Sequence, residues 1–188
     1  MHSAALAGLT FLLIAQEPIV VGPPPPPATA LEAFRGLPGT ILITAYEHLG
    51  DVAGVLVEAR EMRDSAGGRV RGVVVSIVDR DEKDRRSSAA EPAFIDAEEL
   101  PSLMKAFDSL QAITVNPNGE FRNFDMRYST KGELVLTASS TYQRGVIYGV
   151  EAGRMLKARR PLNGGEFQQL RTLIEAAQQK LATLRDAR

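Results

Sequence analysis

The chain of 188 residues has no cysteine, no tryptophan and only two histidines. Without cysteine it can form no disulfide, thiolate zinc site or iron–sulfur cluster, and it has no thiol nucleophile and no cysteine-linked lipid anchor. His2 lies in the N-terminal segment and His48 ends an apolar run. A serine triad or a histidine-rich zinc site therefore lacks its partners. We expect no catalytic residue, no metal ligand, no cofactor and no enzymatic activity, with catalysis by carboxylates alone as an open alternative.

Two segments resemble known binding motifs in part. Residues 79–86 alternate acidic and basic side chains. They lack the glycine and the twelfth-position glutamate of a calcium loop, so a solvated loop is the expected structure.

Asn163, Gly164 and Gly165 open the last predicted helix and could hold an anion, but no P-loop or dinucleotide fingerprint accompanies them. A helix cap is the expected role of this segment.

The first residues predict a leader. Residues 3–15 (SAALAGLTFLLIA) carry no charge, and this length suits the apolar core of a secretory signal rather than the roughly 20 residues of a membrane-spanning helix. We predict a signal peptide at residues 1–16, and the small residue Ala15 stands where cleavage before Gln16 could occur. An uncleaved interfacial anchor and a chance apolar start are the alternatives. The expected location is the periplasm, the cell envelope or the exterior, and otherwise the cytoplasm.

A proline run follows the leader. Pro23 to Pro27 are consecutive, and such a run favours the extended polyproline II helix. We assign residues 17–38 to a stiff, proline-rich spacer. The remaining residues, 39–188, are long enough for one domain with an ordinary hydrophobic core.

Residues 39–188 are predicted to form a single α+β domain. Runs of β-branched residues predict strands at residues 40–49, 55–62, 69–79, 93–95, 121–129, 133–140, 144–151 and 154–160. One amphipathic helix follows the fourth strand, with Asp96 as its N-cap, and another follows the eighth, with Asn163 as its cap. The predicted fold is two antiparallel four-strand units, each followed by one amphipathic helix (ββββα repeated) that covers its own sheet.

The second and third strands are predicted to form a hairpin. Residues 64–68 read DSAGG, which is rich in residues that tolerate turn conformations. If the hairpin closes directly at this turn, Glu61 lies opposite Arg71 and Val57 lies opposite Val75. The pairing then joins a charge pair at the open end to an apolar pair deeper in the sheet.

Charge is distributed unevenly. Residues 36–120 carry nine basic and fifteen acidic side chains, whereas residues 121–161 carry eight basic and three acidic ones. Arginines and aromatic rings that line a groove can bind phosphates and stack bases. The candidate binding residues are Arg122, Arg127, Tyr128, Lys131, Arg144, Lys157, Arg159 and Arg160. Alternatively, these cations pair with Asp125, Glu133 and Glu151 across the strands while the tyrosine rings pack inward.

Two resemblances concern the folded part. The stretch FIDAEELPSLMKAFDSL, followed by FRNFDMRYSTKGEL and the closing helix, resembles uncharacterised bacterial exported proteins that pair a Phe-Ile-Asp-x-Glu-Glu helix start with a Tyr-Ser-Thr-Lys-Gly hairpin. That resemblance begins at Phe94 and implies no function. The element order is also similar to the Whirly single-stranded DNA binders, which have two units of four strands and a helix. Their Lys-Gly-Lys-Ala-Ala-Leu motif is missing, so no binding residue is carried over.

The leader, the spacer and the missing catalytic groups favour a non-enzymatic exported module. It is expected to bind an unknown partner protein or envelope component through its sheet surface, with no transmembrane span once the leader is removed. The alternative is a single-stranded nucleic-acid-binding protein that uses the basic second half.

Overall fold

The computed structural model describes residues 26–78, 90–112, 123–141 and 145–186. The elements are α1 (Ala30–Arg35), β1 (Leu42–Val52), β2 (Val55–Asp64), β3 (Arg69–Ile77), β4 (Ala93–Asp96), α2 (Leu100–Gln111), β5 (Phe124–Ser129), β6 (Val135–Thr141), β7 (Gly145–Ala152), β8 (Ala158–Leu162) and α3 (Gly164–Asp186). Strands β1–β4 form a first antiparallel sheet and β5–β8 a second, each in sequential order. The predicted α+β class and the repeated ββββα order are confirmed.

The predicted hairpin between β2 and β3 is confirmed in its register. Glu61 pairs with Arg71, and Val57 pairs with Val75. Both valines are fully buried. A short turn rich in glycine fixes the pairing, and the alternation of side chains then directs Val57 and Val75 to the same face.

Glu61 is buried near the turn of this hairpin, not at its open end as predicted, and it is held by three arginines. Its carboxylate accepts hydrogen bonds from Arg63 and from Arg71 Nε, the latter at 2.6 Å, and lies 3.7 Å from Arg69 Nε. Burial raises the pKa of Glu61, but the hydrogen bonds from Arg71 and Arg63 and the charge of Arg69 outweigh it and lower the pKa. The resulting stabilisation is present above the usual pKa of a glutamate and is lost as the pH falls through the lowered one.

The two sheets share one hydrophobic core with α2 and α3 inside it. Val75 of the first sheet, Leu136 of the second, Phe107 of α2 and Phe167 of α3 belong to the same buried cluster. Helix α3 packs chiefly on β1, β2 and β3, whereas α2 packs on α3 and on β6. The prediction that each helix covers its own sheet is therefore wrong. Helix α3 contacts strands of both sheets, and α2 contacts elements of the second half of the chain.

The packed part of the chain begins before residue 39, the predicted start of the domain. Thr29 caps α1: its Oγ1 accepts from Glu32 N–H at 3.1 Å, and its own N–H donates to Glu32 Oε2 at 3.2 Å. Leu31 is fully buried against Met62 and Phe94 on the face of the first sheet opposite the main core. Residues 29–36 therefore belong to the domain, because the outer side of the first sheet needs an apolar cover.

Asp96 caps a different helix from the one predicted. Its carboxylate accepts from the N–H groups of Ala30 at 2.8 Å and Leu31 at 3.1 Å. It makes no capping hydrogen bond to the residues that follow it, which form a 3₁₀ turn, Ala97–Glu99, before α2. Asp96 lies at the end of β4, where its side chain meets the free N–H groups of α1. It therefore fastens α1 to the sheet.

Helix α3 begins as predicted. Asn163 Oδ1 accepts from Glu166 N–H at 2.9 Å, and Glu166 Oε2 accepts from Asn163 N–H at 2.8 Å. This reciprocal capping box satisfies two backbone donors at the helix start. Among the helices that the structure describes, none combines the length and apolarity needed to cross a membrane.

The last strand is displaced from its predicted range. Residues 154–157 form a loop, and β8 runs from Ala158 to Leu162. Glu91 fastens this loop by accepting from Arg154 N–H at 3.1 Å and Met155 N–H at 2.8 Å. The hydrogen bonds from Met155 and Arg154 hold the pKa of Glu91 below its usual value despite partial desolvation. The predicted leader, most of the proline run, the charged segment 79–86 and the predicted strand start at 121–122 lie outside the described residues.

Candidate functional site

The side of the second sheet that points away from the core is an open polar surface. Leu136, Ala138 and Val150 point into the core, so their chain neighbours point outward. The outward rows are Asp125–Ser139–Ile147, Arg127–Thr137–Gly149–Pro161 and Ser129–Val135–Glu151–Arg159. Helices α2 and α3 pack on the opposite side and α1 packs on the first sheet. Within the described residues no helix covers this surface, which we call the open face.

Two residues in the outward rows of the open face, Val135 and Gly149, are buried by the side chains around them. Gly149 has no side chain, and a Cβ atom added there would lie 2.7 Å from Thr137 Oγ1 and 3.7 Å from Arg159 Nε. The Thr137 hydroxyl donates to the Gly149 carbonyl oxygen at 3.4 Å. The side chains of Thr137 and Arg159 therefore lie over the backbone of β7 at Gly149. The groups that the open face exposes are the side chains around this point.

Three cations surround one carboxylate on the open face. Glu151 Oε1 lies 3.8 Å from Arg127 Nη2 and 3.5 Å from Lys157 Nζ, and Glu151 is the cross-strand partner of Arg159. Lys157 Nζ also lies 3.7 Å from Glu133 Oε2. The side chains of Arg127 and Lys157 are 54% and 44% exposed. Exposed ion pairs at such distances contribute at most about 1 kcal/mol each.

The structure separates the eight residues that the sequence analysis selected. Arg127, Lys157 and Arg159 come together on the open face. Lys131 is exposed in the turn before β6, where its backbone N–H donates to Glu99 Oε1 at 3.0 Å. Tyr128 and Arg160 lie on the inner side, because they neighbour Arg127 and Arg159 in strands whose side chains alternate. Arg122 and Arg144 lie outside the described residues.

The described tyrosines of the second half pack inward. Tyr148 stacks on Phe167 of α3, with ring centroids 4.4 Å apart. Tyr128 packs partly buried against the core, and burial together with the charge of Glu99 raises the pKa of its phenol. Arg160, on the same side, donates to the Val78 carbonyl oxygen at 3.1 Å. These three side chains help to join the second sheet to the rest of the core.

The sequence analysis missed a groove of about 570 Å³ beside α1. Glu32, Arg35, Phe94 and Arg154 are among its lining residues. The guanidinium of Arg154 donates to the Pro26 carbonyl oxygen at 2.7 Å and lies 3.9 Å from Glu32. The groove depends on α1, which was assigned to the spacer. The Thr-x-x-Glu spacing of its capping box was the available signal.

His48, the one histidine of the predicted domain, is exposed on β1. A bulge between His48 and Gly50 shifts the pairing of β1 with β2 at this point. In the parts of the chain that the structure describes, no three histidine or acidic side chains are grouped closely enough to hold a metal ion.

Comparison with known proteins identifies no relative of this chain. No family model, no curated protein and no solved structure matches this chain. The resemblances to the exported bacterial proteins and to the Whirly element order remain predictions.

Proposed function

We propose that this protein is a non-enzymatic binding module that holds an acidic segment of a partner protein or envelope component on the open face. The open face itself carries the proposal. The inner faces of both sheets are filled by the shared core, and α1 covers part of the outer side of the first sheet. The open face exposes Arg127, Lys157 and Arg159 around Glu151.

The charges on the open face favour an acidic partner. The contacts of Arg127 and Lys157 with Glu151 are long and half-exposed. Little free energy is therefore lost when they open. A partner carboxylate can replace Glu151 and accept two parallel hydrogen bonds from an arginine. The partly exposed side chains of Thr137 and Ser139 offer further polar contacts to an extended chain.

The same cations would attract phosphates, which is the basis of the nucleic-acid alternative. Single-strand binders add aromatic rings on which bases stack. The described tyrosines of this half, Tyr128 and Tyr148, pack inward, so the open face offers no stacking surface from them. We therefore favour an acidic polypeptide or envelope polymer over a nucleic acid.

Charge reversal on the open face tests this function. We expect the double variant Arg127→Glu/Arg159→Glu to weaken binding of a labelled polyglutamate peptide at least about tenfold at low salt, because attraction becomes repulsion. Fluorescence anisotropy measures the affinity. Lys105→Glu is the control, since Lys105 is exposed on α2, away from the open face. It makes the same charge change as each of the single variants Arg127→Glu and Arg159→Glu, with which it is compared directly.

The outcomes separate the two functions. The wild type and Lys105→Glu should bind polyglutamate alike, with affinity falling as salt rises. Absence of polyglutamate binding by the wild type would contradict the proposal. Binding of an oligothymidine of equal charge in preference to polyglutamate would replace it with the nucleic-acid alternative.

We also propose that the module acts outside the cytoplasm, on the basis of the uncharged leader at residues 3–15 and the prolines that follow it. In cells that produce the full chain, we expect envelope or medium fractions to contain protein whose N-terminal sequence begins near Gln16. Cell fractionation followed by N-terminal sequencing measures this. Full-length protein found only in the cytoplasm would contradict export.

A further inference from the structure

Strand β1 lies at the edge of the first sheet. It pairs with β2, and none of the other described strands lies along its second side. Residues 43–48 are exposed on both faces of the strand, unlike the alternating strands elsewhere. Helix α3 reaches the later part of β1, where Lys180 Nζ lies 2.5 Å from Glu47 Oε2 and Leu173 packs closely against Gly50. The first half of β1 therefore extends beyond the cover of α3.

The exposed part of β1 has the composition of a buried strand. Residues 40–46 read TILITAY, without a charge or a proline. Ile41, Ile43 and Tyr46 are 76%, 64% and 68% exposed. An edge strand of this kind is a template for pairing with another chain, because its unpaired N–H and C=O groups accompany apolar side chains on both faces.

The other described edges are protected. Strand β4 is only four residues long, and the turn before β6 lies against it, so that a Cβ atom added at Gly132 would lie 1.7 Å from the Phe94 carbonyl oxygen. Strand β5 exposes Asp125 and Arg127 at its edge. Strand β8 contains Pro161, which has no N–H to donate. Proteins commonly block the edges of sheets by these means. Because β1 lacks such protection, we infer that its edge pairs with another strand.

We propose that β1 pairs antiparallel with β1 of a second copy of this chain across a twofold axis, so that two first sheets join into one continuous sheet. An axis at Thr44 places Leu42 opposite Tyr46 of the second copy on one face. On the other face it places Ile43 opposite Ala45. Cross-strand pairs of an aromatic with an aliphatic residue stabilise antiparallel sheets, and a twofold axis lets one surface serve both copies.

The charges of β1 favour a second copy as the occupant. Glu47 would face Ile41 of the second copy rather than another carboxylate, and it is already paired with Lys180 of its own chain. No like charges meet over the uncharged stretch 40–46. A strongly charged partner would find no complementary charge there. The open face lies on the other sheet and shares no residue with β1, so this inference is independent of the proposed function.

A lysine on the edge tests the dimer. We expect the full chain to sediment as a concentration-dependent dimer. We expect Ile43→Lys to raise the dimer dissociation constant at least about tenfold, because pairing would desolvate a charged side chain opposite Ala45 of the second copy. Leu156→Lys is the matched control, since Leu156 is also 64% exposed. The control should stay dimeric. Circular dichroism checks that each variant is folded, and Tyr46→Lys replaces Ile43→Lys if the latter does not fold.

Crosslinking shows which surface joins the two copies in the dimer. Because the chain has no cysteine, Thr44→Cys and Ser102→Cys each provide one thiol, the first on β1 and the second exposed on α2. We expect a short bismaleimide to link two copies through Thr44→Cys and not through Ser102→Cys. A wild type that is monomeric at all concentrations overturns the proposal. So does a dimer that persists in both lysine variants, or one that crosslinks only through Ser102→Cys.

Discussion

Phe167→Ala is expected to lower the free energy of unfolding by about 4 kcal/mol, in the range for removing a large buried aromatic side chain. Phe167 is fully buried in α3. Its ring lies 4.9 Å, centroid to centroid, from that of Phe107 in α2 and 4.4 Å from that of Tyr148 in β7. The variant therefore leaves a cavity where both helices meet the second sheet, and the loss should affect the whole domain.

Urea unfolding followed by circular dichroism measures this change. Met155→Ala is the control, because Met155 is 61% exposed and should change stability by less than about 0.5 kcal/mol. In a double-mutant cycle with Phe107→Ala, we expect a coupling energy of about 1 kcal/mol between the two rings. Additive effects of the two substitutions would contradict direct contact between α2 and α3.

Gly132→Ala is expected to destabilise the protein by about 3 kcal/mol, at the upper end of the usual cost of overpacking. The added Cβ would lie 1.7 Å from the Phe94 carbonyl oxygen and 2.9 Å from Thr29 Cγ2. A carbonyl that belongs to β4 cannot turn aside as a flexible side chain can. The turn before β6, β4 and the start of α1 would have to separate locally.

Gly36→Ala is the matched control for Gly132→Ala. Gly36 has a φ of −85°, and a Cβ added there meets no atom closer than 3.6 Å. The Gly36→Ala variant should differ from the wild type by less than about 1 kcal/mol in its free energy of unfolding, measured in the same urea titration. Equal effects of the two substitutions would mean that the close contact between Gly132 and Phe94 does not exist in solution.

The sequence predicted the local structure well because local signals determine it. Alternating β-branched residues predicted the strands. The short glycine turn fixed the register that pairs Glu61 with Arg71. Asn163 and Glu166 have the spacing of a capping box, and the capped helix begins there.

The placement of the helices could not be predicted in the same way. An amphipathic stripe shows which side of a helix is buried but not which sheet covers it, and α3 packs chiefly on the first sheet. Asp96 looks like the cap of the helix that follows it, yet its partners are Ala30 and Leu31, which are more than sixty residues away. Such a contact exists only once the chain has folded.

The sequence predicted only part of the candidate site, because a cluster of charges does not show on which face of a sheet each side chain lies. Charge clustering in the sequence selected Arg127, Lys157 and Arg159, which share the open face. It also selected Tyr128 and Arg160, which strand alternation directs to the opposite side. The open face itself became apparent only when the helices were located, because its exposure depends on where α2 and α3 pack.

Native-state hydrogen exchange, followed by mass spectrometry on the full chain, tests the central claim that both sheets and both long helices form one core. We predict that amides of β3 and β6 exchange through the same global opening with equal free energies, and that Phe167→Ala lowers both by the same amount. Exchange of one sheet at a markedly lower free energy, while the other keeps its protection, would contradict a shared core.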